Sequence, residues 1–330
     1  MPGFSTIELV VALGLTLTLA ATLLTVLRPV HAMFVVEPDR ADIEQRIRVV
    51  ADALARDLMV AGAGASVSAH TGPLRTYMPP VQPRRITGAG ESSDSFRSDA
   101  ITLVDVPDTA AQTTLVADVP SGAWGLPVAP VPGCTGGLRL CAFSAGTTVL
   151  VYDDDGAFDL LTIGSVVEAT TTLTTTSAAL APHRTGAAVV AVEVRSYYLK
   201  NDTTTQSTQL VRTDLTGPDA PVADHVVGLA FEYYGEGGVS PLPGVLVRID
   251  ATTLTDGPWR PDAAAGNRWD ADLSRVRAVA VTLRVEAASA ALRGPAGLLF
   301  SRGGTATDAK RWVPDHEIRF TVSPRNMSLP

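Results

Sequence analysis

The feature that most constrains this chain is a run of nineteen residues without a charge, Leu9–Leu27, reading LVVALGLTLTLAATLLTVL. At 1.5 Å rise per residue it forms roughly 28 Å of helix, about the hydrocarbon thickness of a bilayer. Arg28 and Pro29 close it. A cleavable secretory signal needs a basic leader, a shorter apolar stretch and a small-x-small exit. Neither residue ahead of Gly3 is basic, and Arg28-Pro29-Val30-His31-Ala32 is a poor exit, so the run reads as a membrane helix.

Glu8 stands at the mouth of that helix. A carboxylate near the bilayer centre costs about 2–3 kcal/mol, and less toward the interface. No Lys, Arg or His lies between Met1 and Leu27, so nothing in the segment neutralises Glu8 except the chain's own amino terminus. The residues Gly3-Phe4-Ser5-Thr6-Ile7-Glu8-Leu9 resemble the prepilin processing motif of type IV pilins and pseudopilins: a glycine, then Phe, then small or apolar residues, then Glu as the fifth residue after the cut. The resemblance implies that a membrane-embedded aspartyl peptidase cuts after Gly3 and methylates the new amino group of Phe4. It also implies that Glu8 pairs with the amino terminus of a neighbouring subunit. A paired carboxylate in lipid is less unfavourable than a lone one, so such pairing favours assembly over free diffusion. The implied partners are other pilins or pseudopilins, the prepilin peptidase and the inner membrane. The implied location is a single inner-membrane pass with a periplasmic body, filament-associated after assembly. A positive-inside count over Arg28, Arg40, Arg46 and Arg48 places the body in the cytoplasm instead. Glu37, Asp39, Asp42 and Glu44 make that flank electrically mixed, and the motif is followed here.

Beyond Pro38, the spacing of Ile43, Ile47, Val50, Leu54 and Leu58 predicts an amphipathic helix over Asp39–Gly62, with Asp42–Arg46 and Asp52–Arg56 as ion pairs and Gly62 and Gly64 as the stop. Four segments follow: a leader (1–3), the transmembrane half of a spine helix (4–28), its amphipathic continuation (29–64) and a β-rich body (65–330). In the body, Ala100–Val106, Thr148–Tyr152, Ala187–Leu199 and Val226–Tyr234 read as strands. Val279, Val281, Leu283 and Val285 alternate with Ala280, Thr282, Arg284 and Glu286, and Ile318, Phe320 and Val322 alternate near the end. Thr170–Thr176 is β-prone, and Met78–Pro80 and Gly125–Gly133 read as loops. Arg195–Leu199, Asp224–Tyr234, Leu273–Val279 and Pro324-Arg325-Asn326 are similar, in that order, to the strands of PilW-type minor pilins. Arg56–Gly62 is similar to the helix end of the PilW and GspJ types. The fold class expected is α+β, a long hydrophobic spine helix packed on a β-rich globular body.

With 26 Lys+Arg against 34 Asp+Glu, the net charge of −8 argues against nucleic acid as a partner. Cys134 and Cys141 flank the Gly136-Gly137 pair, which can turn the chain back on itself. They either pair or remain buried thiols, and the oxidising compartment implied by the anchor favours the pair. Two cysteines without a neighbouring Cys or His cluster do not make a tetrahedral zinc site.

The rival class is a membrane-tethered extracytoplasmic enzyme. His31, His70, His183, His225 and His316 are scattered, and the sequence holds no His-Glu-x-x-His, no Gly-x-Ser-x-Gly and no phosphate loop. Gly235–Gly238 reads as a turn and His316-Glu317 as a surface pair. No catalytic set and no cofactor is expected. Asp153-Asp154-Asp155-Gly156 has the context of a hairpin turn, with Asp153 and Asp155 as a weak calcium candidate, since the remainder of an EF-hand loop is missing. The function expected is a minor pilin that primes filament assembly and sits near the tip, with a minor pseudopilin of type II secretion as the alternative.

Overall fold

One continuous helix, Thr6–Val60, joins the apolar run to the amphipathic stripe and passes through Pro38 without a break. The structure is a computed structural model. It describes residues 5–66, 70–86, 91–92, 95–202, 204, 207–215, 217–236, 245–261 and 269–327, and of residues 26–35 only the backbone. Every member of the predicted stripe is buried, from Ile47 at 6% exposed to Leu58 at 0%. Side chains of this size contribute about 1.5–3 kcal/mol each when fully withdrawn from water. Of the two expected ion pairs, Arg46 reaches Asp42 at 2.6 Å, while Asp52 and Arg56 lie exposed on the outer face.

The helix stops where glycine is obligatory. Gly62 has φ +84°, and its N–H donates to the Val104 carbonyl at 2.9 Å while its own carbonyl accepts from Leu74 N–H at 2.9 Å. A Cβ on Gly64 would lie 1.9 Å from the Gly72 carbonyl oxygen. The chain thus leaves the helix by two residues that no side chain can replace.

The chain divides into two compact units, Met1–Ile47 with Val285–His316, and Arg48–Arg284 with Glu317–Pro330. In the first, Leu292, Phe300 and Val313 are buried, and Phe300 meets Trp312 edge-on at 5.6 Å. Glu286, expected to face outward by alternation, is fully buried and accepts from Arg293 and Arg302. The reason is local: its strand ends at Val285, so the two-residue period no longer governs the next side chain.

The second unit is antiparallel β. A five-stranded sheet runs Val81–Gln82, Ala100–Asp105, Glu193–Asp202, Ser207–Asp214 and Ala220–Asp224 in spatial order. A six-stranded sheet runs Gln112–Thr114, Ala188–Ala191, Thr148–Tyr152, Phe158–Val167, Thr172–Thr175 and Gly125–Pro127. A four-stranded sheet runs Leu246–Ile249, Val226–Glu236, Val276–Val285 and His316–Val322. Leu115, Leu126, Val149, Leu161 and Leu173 form much of one apolar core around the six-stranded sheet. At the end of the long helix, buried Asp57 accepts from the Tyr197 hydroxyl at 2.5 Å, which fastens the helix to the five-stranded sheet.

Three readings of the body change. The expected strand Ala187–Leu199 is two strands that switch sheets at Val192: Ala188–Ala191 pairs with Thr148–Tyr152, and Glu193–Asp202 pairs with Ala100–Asp105. The threonine-rich strand begins only at Thr172, because Thr171 adopts a positive φ of 47° in a turn. Gly125–Pro127, expected as loop, is an edge strand against Thr172–Thr175. Such an edge tolerates a proline because one row of its backbone groups needs no partner.

Candidate functional site

Through Thr25, the last of its described side chains, the apolar run is an exposed helical surface. Thr6–Thr25 is a twenty-residue span of mean hydropathy 2.2 with none of it buried, and Ile7, Val10 and Leu19 are each more than two-thirds exposed. Its threonines do not spoil it for lipid. Thr16, Thr18, Thr22 and Thr25 donate their hydroxyls back to carbonyls three or four residues earlier, as in Thr16 Oγ1 to Ala12 O at 3.0 Å and Thr25 Oγ1 to Thr22 O at 2.7 Å. The polar hydrogens are satisfied within the helix, as a hydrocarbon surrounding requires.

Glu8, which has no cation in its own segment, has a backbone partner. Its Oε2 accepts from the Ser5 backbone N–H at 3.0 Å, while Ser5 Oγ accepts from Ile7 N–H at 3.3 Å. The Glu8 bond is one arm of a capping box, with the Ser5 hydroxyl capping the Ile7 N–H instead of the Glu8 N–H, and its signal was present in the sequence as Ser5-Thr6-Ile7-Glu8. The free N–H groups of a helix start carry partial positive charge, so they compensate a carboxylate without a basic residue. Gly3 and Phe4, the expected processing pair, lie outside the described residues.

Cys134 and Cys141 are joined, with Cα atoms 5.7 Å apart, and Gly136 and Gly137 turn the chain between them at φ +70° and +82°.

The Asp153–Gly156 segment is the hairpin turn expected between Thr148–Tyr152 and Phe158–Val167. Its three carboxylates, including the calcium candidates Asp153 and Asp155, point to different neighbours. Asp153 turns inward, 8% exposed, with Oδ2 3.7 Å from His183 Nδ1. Asp154 meets His70 Nδ1 at 3.0 Å, and Asp155 stays out, 3.9 Å from Arg184.

His183 is the residue that sequence reasoning passed over as one of five scattered histidines. It is 1% exposed, and its backbone is fixed by a two-way bridge with Val119 at 2.8 Å in each direction. Its Nε2 lies 2.9 Å from Asp159 Oδ2, and buried Asp159 also accepts from the N–H groups of Leu180 and Ala181 at 3.1 Å. Burial alone would lower the imidazole's pKa, but the carboxylates of Asp153 and Asp159 on either side outweigh it and hold the pKa above its ordinary value. No spacing rule links 153, 159 and 183. Only the pairing of strands and the Val119 bridge bring them together.

A further acidic group, Asp256, Asp270 and Asp272, has ligand atoms within 4.8 Å of one another. Those carboxylates serve the local backbone: Asp270 accepts from Gly257 N–H and Asp272 N–H, and Asp272 pairs with Arg275 at 2.6 Å. His316 and Glu317 are exposed at the start of the last strand, as expected.

No protein-family model and no curated protein matches this chain. Among solved structures there is a distant likeness. A type IV-like pilin from Thermus thermophilus matches at 13% identity and a TM-score of 0.20, over 56% of this chain and 87% of that one. So loose a superposition carries no weight for function.

Proposed function

We propose that this chain is a membrane-anchored assembly subunit of the type IV pilin class, a minor pilin that primes a filament and sits near its tip, and not an enzyme. The observation that supports it is the exposed twenty-residue apolar helix with Glu8 at its mouth. An apolar surface of that size is not stable in water and needs lipid or the equivalent helices of other subunits. In the proposed precursor, cleavage after Gly3 frees the amino group of Phe4, which is then methylated, and Glu8 of each subunit pairs with that terminus on its neighbour. The body stands on the periplasmic side. A minor pseudopilin of type II secretion uses the same residues, and the neighbouring genes distinguish the two.

Mass spectrometry of the mature protein tests the reading directly. The expected amino terminus is N-methylated Phe4, and a chain that retains Met1 in a cell with active prepilin peptidase would sink it. The capping box sharpens the second test. Glu8→Gln keeps an oxygen to accept from Ser5 N–H but removes the charge, whereas Glu8→Ala removes both. Charge pairing predicts that both variants reach the membrane and both drop out of sheared filaments. Normal incorporation of Glu8→Gln would assign Glu8 to capping alone.

A further inference from the structure

The six-stranded sheet occupies one uninterrupted stretch of sequence, and that stretch is inserted between two strands that are already partners. Ala100–Asp105 and Glu193–Asp202 pair antiparallel as far as Asp105 and Glu193, so residues 106–192 leave the five-stranded sheet and re-enter it at one point. A two-residue turn would join the same strands. That point is fastened from outside the insert: Arg195 donates to Asp105 Oδ1 at 2.6 Å and pairs with Glu193.

Within the insert the sheet closes on itself. Val116 N–H donates to the Pro127 carbonyl at 3.0 Å, Ala129 N–H donates to the Thr114 carbonyl at 2.9 Å, and Leu115 bridges Val128. The first and last strands of the sheet therefore meet, and the sheet is a barrel. Its filling is its own. Among the described residues, every buried member of the apolar cluster around Leu126, Val149 and Leu161 lies between Ala111 and Val189. The Cys134–Cys141 disulfide and the ion pairs of His183 with Asp153 and Asp159 also lie inside the insert. A length within about 50–200 residues and a core of its own are what a segment needs to fold as a domain.

The remainder of the β-rich unit meets the barrel on the outer side of Thr148–Tyr152 and Ala188–Ala191 and at the adjoining turn. Leu150 and Val190, partners across those strands, are buried on the side opposite Val149, Val151 and Val189. On the same outer side Tyr152 donates to the His70 carbonyl at 3.1 Å and its ring lies 5.2 Å from that of Tyr77, while Trp269 Nε1 donates to the Gly156 carbonyl at 3.1 Å. These contacts join two surfaces and leave the inside of the barrel to the insert.

We propose that residues 106–192 are a separate domain grafted into a hairpin, with a folding transition of its own, and that the rest of the chain displays it as a module without depending on it for its own fold. The division of labour is between a carrier and what it carries, and it does not rest on the pilin reading.

Hydrogen exchange of the untagged full-length protein in detergent, followed by mass spectrometry along a denaturant series, tests this. The amides of residues 112–191 should open as one unit, at a denaturant concentration different from that which opens Ala100–Asp105, Glu193–Asp202 and Ser207–Asp214. Reduction of the disulfide should increase opening of the barrel amides roughly tenfold or more and leave those of the five-stranded sheet within about twofold. In a variant of the full chain, Asn-Gly replaces residues 106–192 between Asp105 and Glu193, and the five-stranded sheet should keep its pattern of protection. Joint opening of both sets of amides at every denaturant concentration, with reduction affecting them equally, would overturn the proposal. Loss of the five-stranded sheet's protection in the deletion variant would overturn it as well.

Discussion

The hydroxyl of Tyr197 offers the most direct test of how the long helix is fastened. Tyr197 is fully buried and donates to Asp57 Oδ2 at 2.5 Å, while Asp57 is only 7% exposed. The other cations near that oxygen, Arg195 Nε at 3.7 Å and Arg212 Nη1 at 3.9 Å, are beyond hydrogen-bond reach. Tyr197→Phe therefore removes the one short donor to Asp57 Oδ2 among the described residues while the ring keeps its packing. A hydrogen bond to a charged group is worth about 1.5–3 kcal/mol, so a loss near 2 kcal/mol is expected. For a unit of this size that lowers the unfolding midpoint by roughly 4 °C or somewhat more. The assay is thermal unfolding of the detergent-solubilised full-length protein followed by circular dichroism at neutral pH. The same substitution in an Asp57→Ala background should cost almost nothing further, since the acceptor is already gone. A wild-type midpoint for Tyr197→Phe, or an undiminished cost in the Asp57→Ala background, would refute the assignment.

Gly64→Ala places a methyl group 1.9 Å from the Gly72 carbonyl oxygen and should cost about 3 kcal/mol or prevent folding, whereas Gly14→Ala, with nothing within 4 Å, should leave the melting curve unchanged. Replacing Cys134 and Cys141 together by serine opens an eight-residue loop and should cost about 2.5 kcal/mol in a denaturant titration, a difference that should vanish when both proteins are measured in reductant. Burial, then hydrogen bonding to Asp219, pushes the Tyr198 hydroxyl up to about 12, and burial also raises Tyr77, Tyr197 and Tyr233. Because these folded-state values lie above the unfolded one, the stabilisation is complete below pH about 10 and is lost as pH rises through about 12. Ultraviolet titration should show these tyrosines ionising late, together with unfolding, and a single class titrating near pH 10 would contradict their burial.

The elements that sequence reveals are those whose pattern is long and governed by one surrounding. The helix was legible because its apolar run and its stripe each repeat over many turns, and so was its end, because Gly62 and Gly64 meet neighbours that allow no side chain. Thr148–Tyr152 was found to the residue, since both ends are marked by turns. Ala187–Leu199 was read as one strand because nothing local announces Val192 as a crossing point; the chain stays extended and only its partners change. The Ser5–Glu8 cap was in plain view, but a charge count looks for cations and passes over N–H groups. His183 lay beyond local reading altogether. Its meaning comes from Asp153 and Asp159, twenty-four and more residues away, and from the Val119 bridge that aligns them.

If the apolar helix packs against other subunits as proposed, its inward-bonded threonines also determine what a neighbour can feel. Thr16, Thr18, Thr22 and Thr25 present methyl groups and oxygens whose hydrogens are already committed to the helix's own carbonyls. Against such a surface, an adjacent helix can rotate or slip without breaking a directional contact, so the fit is decided by contour alone. Depth is the exception. On the proposed membrane reading, sliding the span one way would cost little until Glu8 was drawn below the headgroups, which would make that end a stop and the remainder of the helix a bearing.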